Sequence, residues 1–364
     1  MSDASLNTLI VKVARRAENV PAEVLREAFV PMPSLMAHLE SPEHHVLFGR
    51  RGTGKTHLLR YLQEAKTAEG ALAIYLDLRR VGSPDDVVST RRGGFAEQAT
   101  GLLVDVVEHI HASIYEQVLE DRWSGVLAAV SGGLDALAAA ARQIKVVGES
   151  AVEERDDLPA GQRAPDHDHQ VHHVLLGPLS GAVQSLARAL APHQLWLLID
   201  EWSALPPDLQ PLMADLLRRT FFATSGVVVK ISAIHGRSRF SDSGDSGAPV
   251  GLELGADTAA SLDLDDFLLF RNDVASTLDF YAALLFRHLS AMVVRADRPQ
   301  QGAMRGIRGP DGLLARLFDG AQSFHNLVLG AEGVPRDALQ IAGLAAGAAH
   351  TKQIGSLHVA HATR

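Results

Sequence analysis

Gly49-Arg50-Arg51-Gly52-Thr53-Gly54-Lys55-Thr56 carries glycines, a lysine and a hydroxyl at the spacing of the phosphate-binding loop G-x-x-x-x-G-K-[ST]. Its glycines let the backbone curl until successive N–H groups converge on phosphate oxygens at a helix N-terminus. Lys55 is then placed to reach β- and γ-phosphates, and the Thr56 hydroxyl to hold Mg²⁺. The candidate phosphate-binding set runs from Gly49 to Thr56 and takes in His57, the next residue. A second constellation lies far downstream, where Leu195-Trp196-Leu197-Leu198-Ile199 runs into Asp200-Glu201. Such an apolar run suits a parallel strand buried on both faces, with ligands beyond its carboxyl end. Acids at that position need a partner, because an unpaired buried carboxylate is costly. Asp200 suits a magnesium ion held through water, and Glu201 suits orienting or deprotonating the water that attacks a γ-phosphate. An ordinary strand followed by a helix-capping aspartate is the bland alternative; agreement with the glycine loop favours the chemistry. Lys55, Asp200 and Glu201 are thus the expected catalytic groups, with Thr56 and Asp200 on the metal.

For these groups to meet, His45-Val46-Leu47-Phe48 must be a strand entering the glycine loop, and about 55–68 a helix leaving it. Leu58, Leu59, Leu62 and Ala65 fall on one side of that helix, as packing on a sheet requires. Ala71 to Leu78 predicts a second strand, and Leu102, Leu103, Val106, Val107, Ile110, Ile114 and Val118 keep helical step over about 95–120. A helix near 179–191 precedes the Asp200-Glu201 strand; Pro206-Pro207 then opens another, with Leu209, Leu212, Met213, Leu216, Leu217 and Phe221 in phase. Gly226 to Ile234 is a further strand, with a weaker one near 261–269. Strands alternating with helices imply a mostly parallel sheet covered on both faces. Residues 120–178 break the alternation, and 149–173 is polar, acidic and without sustained period, an exposed insertion. Its His167, His169, His172 and His173 suggest a metal site only on a helix, and a solvated loop is the favoured reading. Beyond about 273 only helices are expected, at 274–294, 311–319, 321–331 and 335–349. The expected organisation is a helical lead-in (1–43), an α/β core (44–272) with an insertion at about 120–178, a helical lid (273–349) and a frayed tail (350–364).

Composition narrows the classes. With 46% apolar and 21% charged residues the chain has the balance of a globular protein. A formal charge of −9 argues against a broadly basic nucleic-acid surface. Cysteine is absent, which excludes disulfides, thiolate catalysis and cysteine-held zinc. The first residues show no basic-then-apolar leader, and alanine-rich Gly125–Val147 carries Asp135, Arg142 and Lys145; a cytoplasmic location is the expectation.

A glycine loop, a late Asp-Glu strand, a further strand with a polar end and a helical lid together resemble the AAA+ ATPases. The wording Gly49 to Thr56 with the later Gly333-Val334-Pro335-Arg336-Asp337-Ala338-Leu339 is similar to the origin-recognition/initiator branch, over roughly residues 30–349. The resemblance implies a P-loop NTPase three-layer sandwich followed by an all-helical lid, with ATP and Mg²⁺ bound between them. It implies that Arg336, at the Gly-x-Pro-Arg position, contacts the nucleotide phosphates; an arginine at the positive end of a helix dipole is otherwise an unfavourable first-turn residue. Two departures stand out. The branch carries an asparagine near the end of the fourth strand where this chain has Ala233, leaving Ser232 or His235 as substitutes. Only some fifteen residues follow the lid, too few for the winged-helix module of those initiators, so DNA is a partner without support from charge or module. Arg237 and Arg239, more weakly Arg218 and Arg219, are candidates for an arginine acting across a subunit boundary. The expected function is ATP hydrolysis that moves the lid and changes contacts with further copies of the chain or an unidentified protein. A nucleotide-dependent switch with little hydrolysis and a DNA-associated loader are the alternatives.

Overall fold

The computed structural model describes residues 4–14, 20–81, 95–119, 123, 127–143, 145–150, 170–242, 250–259, 261–268, 273–294 and 302–363. Its centre is a parallel sheet ordered β2-β5-β6-β1-β9, built from β1 (His45–Phe48), β2 (Leu72–Asp77), β5 (Leu195–Asp200), β6 (Val227–Ser232) and the short β9 (Leu262–Asp263). Two small antiparallel ribbons stand outside it, β3 (Lys145–Ser150) with β4 (Gln170–Leu175), and β7 (Ser241–Asp242) with β8 (Val250–Gly251).

Strand periodicity divides each apolar run between two layers. Ile74, Leu76, Leu197, Ile199, Val229 and Ile231 face one helical layer, which includes Phe95–Val118, Leu127–Ala141, Gly177–Leu190 and Gln210–Leu217. Ala73, Tyr75, Trp196, Leu198 and Val228 face the other, where helices Pro33–Leu39 and Lys55–Ala68 pack. Burial on both faces is why these strands read as unbroken hydrophobics. The three-layer architecture expected from the sequence is present. Because parity also governs the strand ends, Tyr75, Asp77, Asp200 and Ser232 belong to the face carrying the helix after the glycine loop.

The helical region has its own core. Helices Val274–Val294, Pro310–Leu317, Ala321–Gly330 and Pro335–Ala349 lie close to their expected bounds and bury Tyr281, Leu285, Leu313, Leu327, Ala338 and Ala342 among others. Val274–Val294 is long and apolar enough to cross a membrane, but it is the central lid helix, with Tyr281, Leu285 and Leu289 in that core.

Four expectations are corrected. Residues 350–364 are not a frayed tail: Ile354 bridges Phe318, and helix Ser356–Ala362 follows with Val359 buried. The lead-in is not one unit, since helix Ala4–Val11 inserts Leu6, Leu9 and Ile10 into the lid core while Pro33–Leu39 packs on the sheet. Asn7 secures the first of these by donating from Nδ2 to the carbonyls of His350 and Lys352, both at 2.9 Å, where the long lid helix ends and needs partners. Within the supposed insertion, helix Leu127–Ala141 buries Val130, Leu134, Leu137 and Ala140 against Gly177–Leu190, so it belongs to the core. Finally, the 261–269 strand is only two residues long and turns at once into helix Leu264–Leu268. Of the histidines in the former insertion, His172 and His173 lie on β4, not on a helix, and His167 and His169 fall outside the described residues.

Candidate functional site

The loop between β1 and helix Lys55–Ala68 is shaped by glycines at positive φ: Gly49 at 156°, Gly52 at 92° and Gly54 at 99°. Gly54 is left-handed at the N-cap and no side chain caps the helix, so its first N–H groups face the loop's hollow. Thr53 is buried and its hydroxyl donates to the Arg50 carbonyl at 2.9 Å, which braces the turn from behind. The Lys55 ammonium crosses the hollow and donates to the carbonyls of Gly49 at 2.7 Å and Arg50 at 2.9 Å. Burial lowers the Lys55 pKa, while Asp200 and Glu201 work to keep its charge.

Asp200 stands at the end of β5, 1% exposed, and its carboxylate is saturated. The Thr56 hydroxyl donates to Oδ2 at 2.7 Å and the Tyr75 hydroxyl to the same oxygen at 2.6 Å. Oδ1 accepts from the Ser232 hydroxyl and from the Glu201 N–H, the latter at 2.9 Å. The strand order explains the convergence: β6 lies between β1 and β5, so Ser232 at its end stands beside Asp200. Burial first, then Asp200, keeps the Tyr75 hydroxyl far above its ordinary pKa, a phenol that stays protonated and donates.

Glu201 follows in a left-handed conformation, φ 60°, which turns its side chain out of the strand toward the loop. Burial and then Asp200 raise its pKa, against the pull of Arg79 and Lys55. Arg79 Nη1 lies 3.8 Å from Glu201 Oε1 while Nε and Nη2 donate to Asp77 at 2.9 and 2.7 Å. Burial works to raise the Asp77 pKa, but the Arg79 hydrogen bonds outweigh it and the carboxyl sits below its usual range.

The lid closes on this arrangement. Arg336 donates from its backbone N–H to the Gly52 carbonyl at 3.2 Å, and its guanidinium lies against Gly52, where a methyl group would come within 2.8 Å of Nε. Arg50 turns away from the hollow: its N–H and Nε donate to Asp265 at 3.1 and 2.9 Å, and Nη2 to the Glu332 carbonyl at 2.6 Å.

A cavity of about 370 Å³ results, whose lining includes Arg51, Gly52, Gly54, Lys55, Thr56, Arg79, Glu201 and Arg336. The lining also has an apolar share, with Val13, Val20, Val24, Leu25, Leu284 and Leu339 joined by His57 and His288. That size and mixed lining suit a nucleotide, whose phosphates call for cations and whose base calls for apolar cover. The donors beside it, Thr56 and Asp200, are oxygens only, the set a hard cation such as Mg²⁺ takes.

The structure therefore brings together Lys55, Thr56, Asp200, Glu201 and Arg336 from three parts of the chain. Gly49 and Thr53 stand behind the lining, and Arg50, expected to face a ligand, instead links loop to lid because Asp265 and Glu332 draw its guanidinium away. His57 lines the cavity, but Nε2 is engaged with the Leu25 carbonyl at 2.5 Å, and burial lowers its pKa. Of the proposed substitutes for a strand-end asparagine, Ser232 is committed to Asp200, and His235 pairs with Asp263 at 2.8 Å and stacks on Phe48. Arg218 and Arg219 both pair with Asp215 at 2.6 Å, and Arg239 with Asp208 and Asp242. Tyr75, Asp77 and Arg79 went unread in sequence, although the spacing of Tyr75 and Asp77 in an Ile-Tyr-Leu-Asp run places both on one strand face.

A protein-family profile described as ORC-CDC6-like matches residues 13–69. That segment holds the glycine loop, its strand and its helix, and the match supports an origin-recognition/initiator-type AAA+ relationship. Among curated proteins none matches the chain.

Proposed function

We propose that the chain binds ATP with Mg²⁺ between the α/β core and the lid, and hydrolyses the β–γ phosphoanhydride to drive a conformational change in a partner or an assembly. The observation that carries this reading is the 2.7 Å hydrogen bond from the Thr56 hydroxyl to Asp200, which joins the two motifs at the carboxyl end of the parallel strands. In this reading the loop N–H groups and Lys55 hold the β- and γ-phosphates, trading the carbonyls of Gly49 and Arg50 for phosphate oxygens. Arg336 and Arg51 add positive charge from the lid side and the loop tip. Thr56 and Asp200 would hold the magnesium ion, which supplies charge neutralisation for the phosphates. Glu201 takes a proton from a water whose oxygen bonds to the γ-phosphorus as the bond to the β–γ bridging oxygen breaks, leaving ADP and inorganic phosphate.

A second reading, a nucleotide-dependent switch with little turnover, is favoured by the end of β6. Ser232 is spent on Asp200 and the next residue is buried Ala233, so neither offers a polar group to a γ-phosphate. Arg79 beside Glu201 points the same way, since a cation next to the base lowers its proton affinity. Purified protein distinguishes the readings by single-turnover hydrolysis of radiolabelled ATP. Lys55→Ala is expected to lose binding, and Glu201→Gln to keep binding and lose turnover; equal turnover in Glu201→Gln and wild type removes Glu201 from its role.

A further inference from the structure

We infer that Tyr75 is a positioning residue for the metal–nucleotide site, its hydroxyl holding the Asp200 carboxylate in the orientation that serves Mg²⁺. The inference rests on the ATP–Mg²⁺ reading above and adds a residue that the motifs do not contain.

A carboxylate offers about four lone-pair positions. Asp200 has all of them taken, by Thr56 and Tyr75 on Oδ2 and by Ser232 and the Glu201 N–H on Oδ1. These donors differ in what they can do. Thr56 borders the cavity, so its hydroxyl is the one that can turn from Asp200 to a cation. Tyr75 and Ser232 sit on strands, buried behind the cavity wall, and are fixed by the sheet. Once Thr56 turns away, Tyr75 is the remaining donor to Oδ2 among the described residues. Without it that oxygen would be free to rotate about the carboxylate axis and to leave the direction in which the cavity lies.

The phenol is itself held. Arg60, on the helix that begins at Lys55, places its guanidinium carbon 3.6 Å from the centre of the Tyr75 ring. Tyr75 pairs with Leu198 across the sheet, two residues before the Asp77–Asp200 pair, so the side chain must reach along the strand face to the carboxylate. A phenylalanine would keep this packing and delete only the donor.

Partners that orient a metal-binding carboxylate typically cost ten- to a hundredfold in metal affinity when removed, on the order of tenfold at the low end. The test is a Mg²⁺ titration of fluorescent ATP-analogue binding to full-length Tyr75→Phe, with melting curves as a folding check. The half-saturating Mg²⁺ concentration should rise about tenfold, while affinity for the analogue in EDTA stays within about twofold of wild type. In an Asp200→Asn background the Tyr75→Phe change should add nothing to the Mg²⁺ requirement. An unchanged requirement in Tyr75→Phe, or an undiminished effect in the Asp200→Asn background, overturns the assignment. If Tyr75→Phe fails to fold, Arg60→Leu keeps the hydroxyl but frees the ring and should raise the requirement about two- to threefold; no rise overturns the inference. Wild-type protein that binds the analogue under neither condition overturns the ATP reading itself, a result distinct from the others.

Discussion

Arg50 donates from its guanidinium to the backbone carbonyl of Glu332 at 2.6 Å, fastening the glycine loop to the turn that opens the last long lid helix. Glu332 and Gly333 both have positive φ, at 48° and 81°, so the turn is bent to present that carbonyl. Asp265 holds the other side of the same guanidinium. An arginine inside the phosphate-binding motif thus acts as a latch between the two bodies.

Arg50→Ala should leave the melting temperature within a few degrees and weaken ATP binding about tenfold, the worth of one charge-assisted hydrogen bond. Isothermal titration calorimetry measures it. Unaltered affinity would show that the latch does not contribute to the closed site.

Gly52 is where lid and loop come closest. An added methyl group meets the Arg336 Nε at 2.8 Å and sits on a residue with φ 92°, so Gly52→Ala carries both strain and a clash. Gly54, at φ 99° with nothing within 4 Å of its would-be Cβ, carries the strain alone. ATP affinity should fall further in Gly52→Ala than in Gly54→Ala, by about a further tenfold. In an Arg336→Ala background that extra loss should shrink; full additivity in the double-mutant cycle contradicts the contact.

Glu201 has a raised pKa, and Arg79 is one of the two cations that restrain the rise. If Glu201 is the base proposed above it must be deprotonated to work, and the acid limb of a turnover profile should then lie above the ordinary glutamate range. Arg79→Ala removes a restraint and should shift that limb to higher pH. A pH–rate profile of both proteins reports the shift; movement toward lower pH would reverse the assigned influence of Arg79.

Stability should climb with pH in two windows. His45 and His288 have folded pKa values lowered by burial to about 4 from 6.5. Between those values the unfolded chain binds protons that the folded chain refuses, so stability falls as pH drops from 6.5 toward 4. Lys230, buried at 0% exposure and lowered by burial to about 7 from 10.5, does the same at higher pH, where stability rises from 7 toward 10.5. Denaturant titrations at several pH values follow both. His288→Gln should flatten the acid window by on the order of 1–2 kcal/mol, and a wild type insensitive to pH there would disprove the burial account.

Legibility followed from how local each signal is. The glycine loop and the apolar run into Asp200-Glu201 announce themselves within a few residues, and the four lid helices carry their period and prolines in plain view. Helix Leu127–Ala141 was misplaced because alanines and glycines give little contrast between faces, though Val130, Leu134 and Leu137 mark the buried side. Helix Ser356–Ala362 buries Val359 while Leu357 is 86% exposed, too slight a pattern to distinguish from a loose end. Tyr75 was missed because an aromatic in a buried strand reads as packing until strand register puts its hydroxyl beside Asp200. Arg50 shows the opposite failure, a residue inside a well-recognised motif whose partners lie 215 and 282 positions away.

The first helix, Ala4–Val11, is a guest in the lid, while Pro33–Leu39 is seated on the sheet, and Val13, Val20 and Val24 in between form one wall of the ligand cavity. Chain that packs on two bodies in turn works like a tendon, tying the wall of the chamber to both of them. Cutting it back past Val13 would strip apolar cover from the lid and breach the chamber in a single stroke, so shortened versions of this protein should lose ligand and lid integrity together.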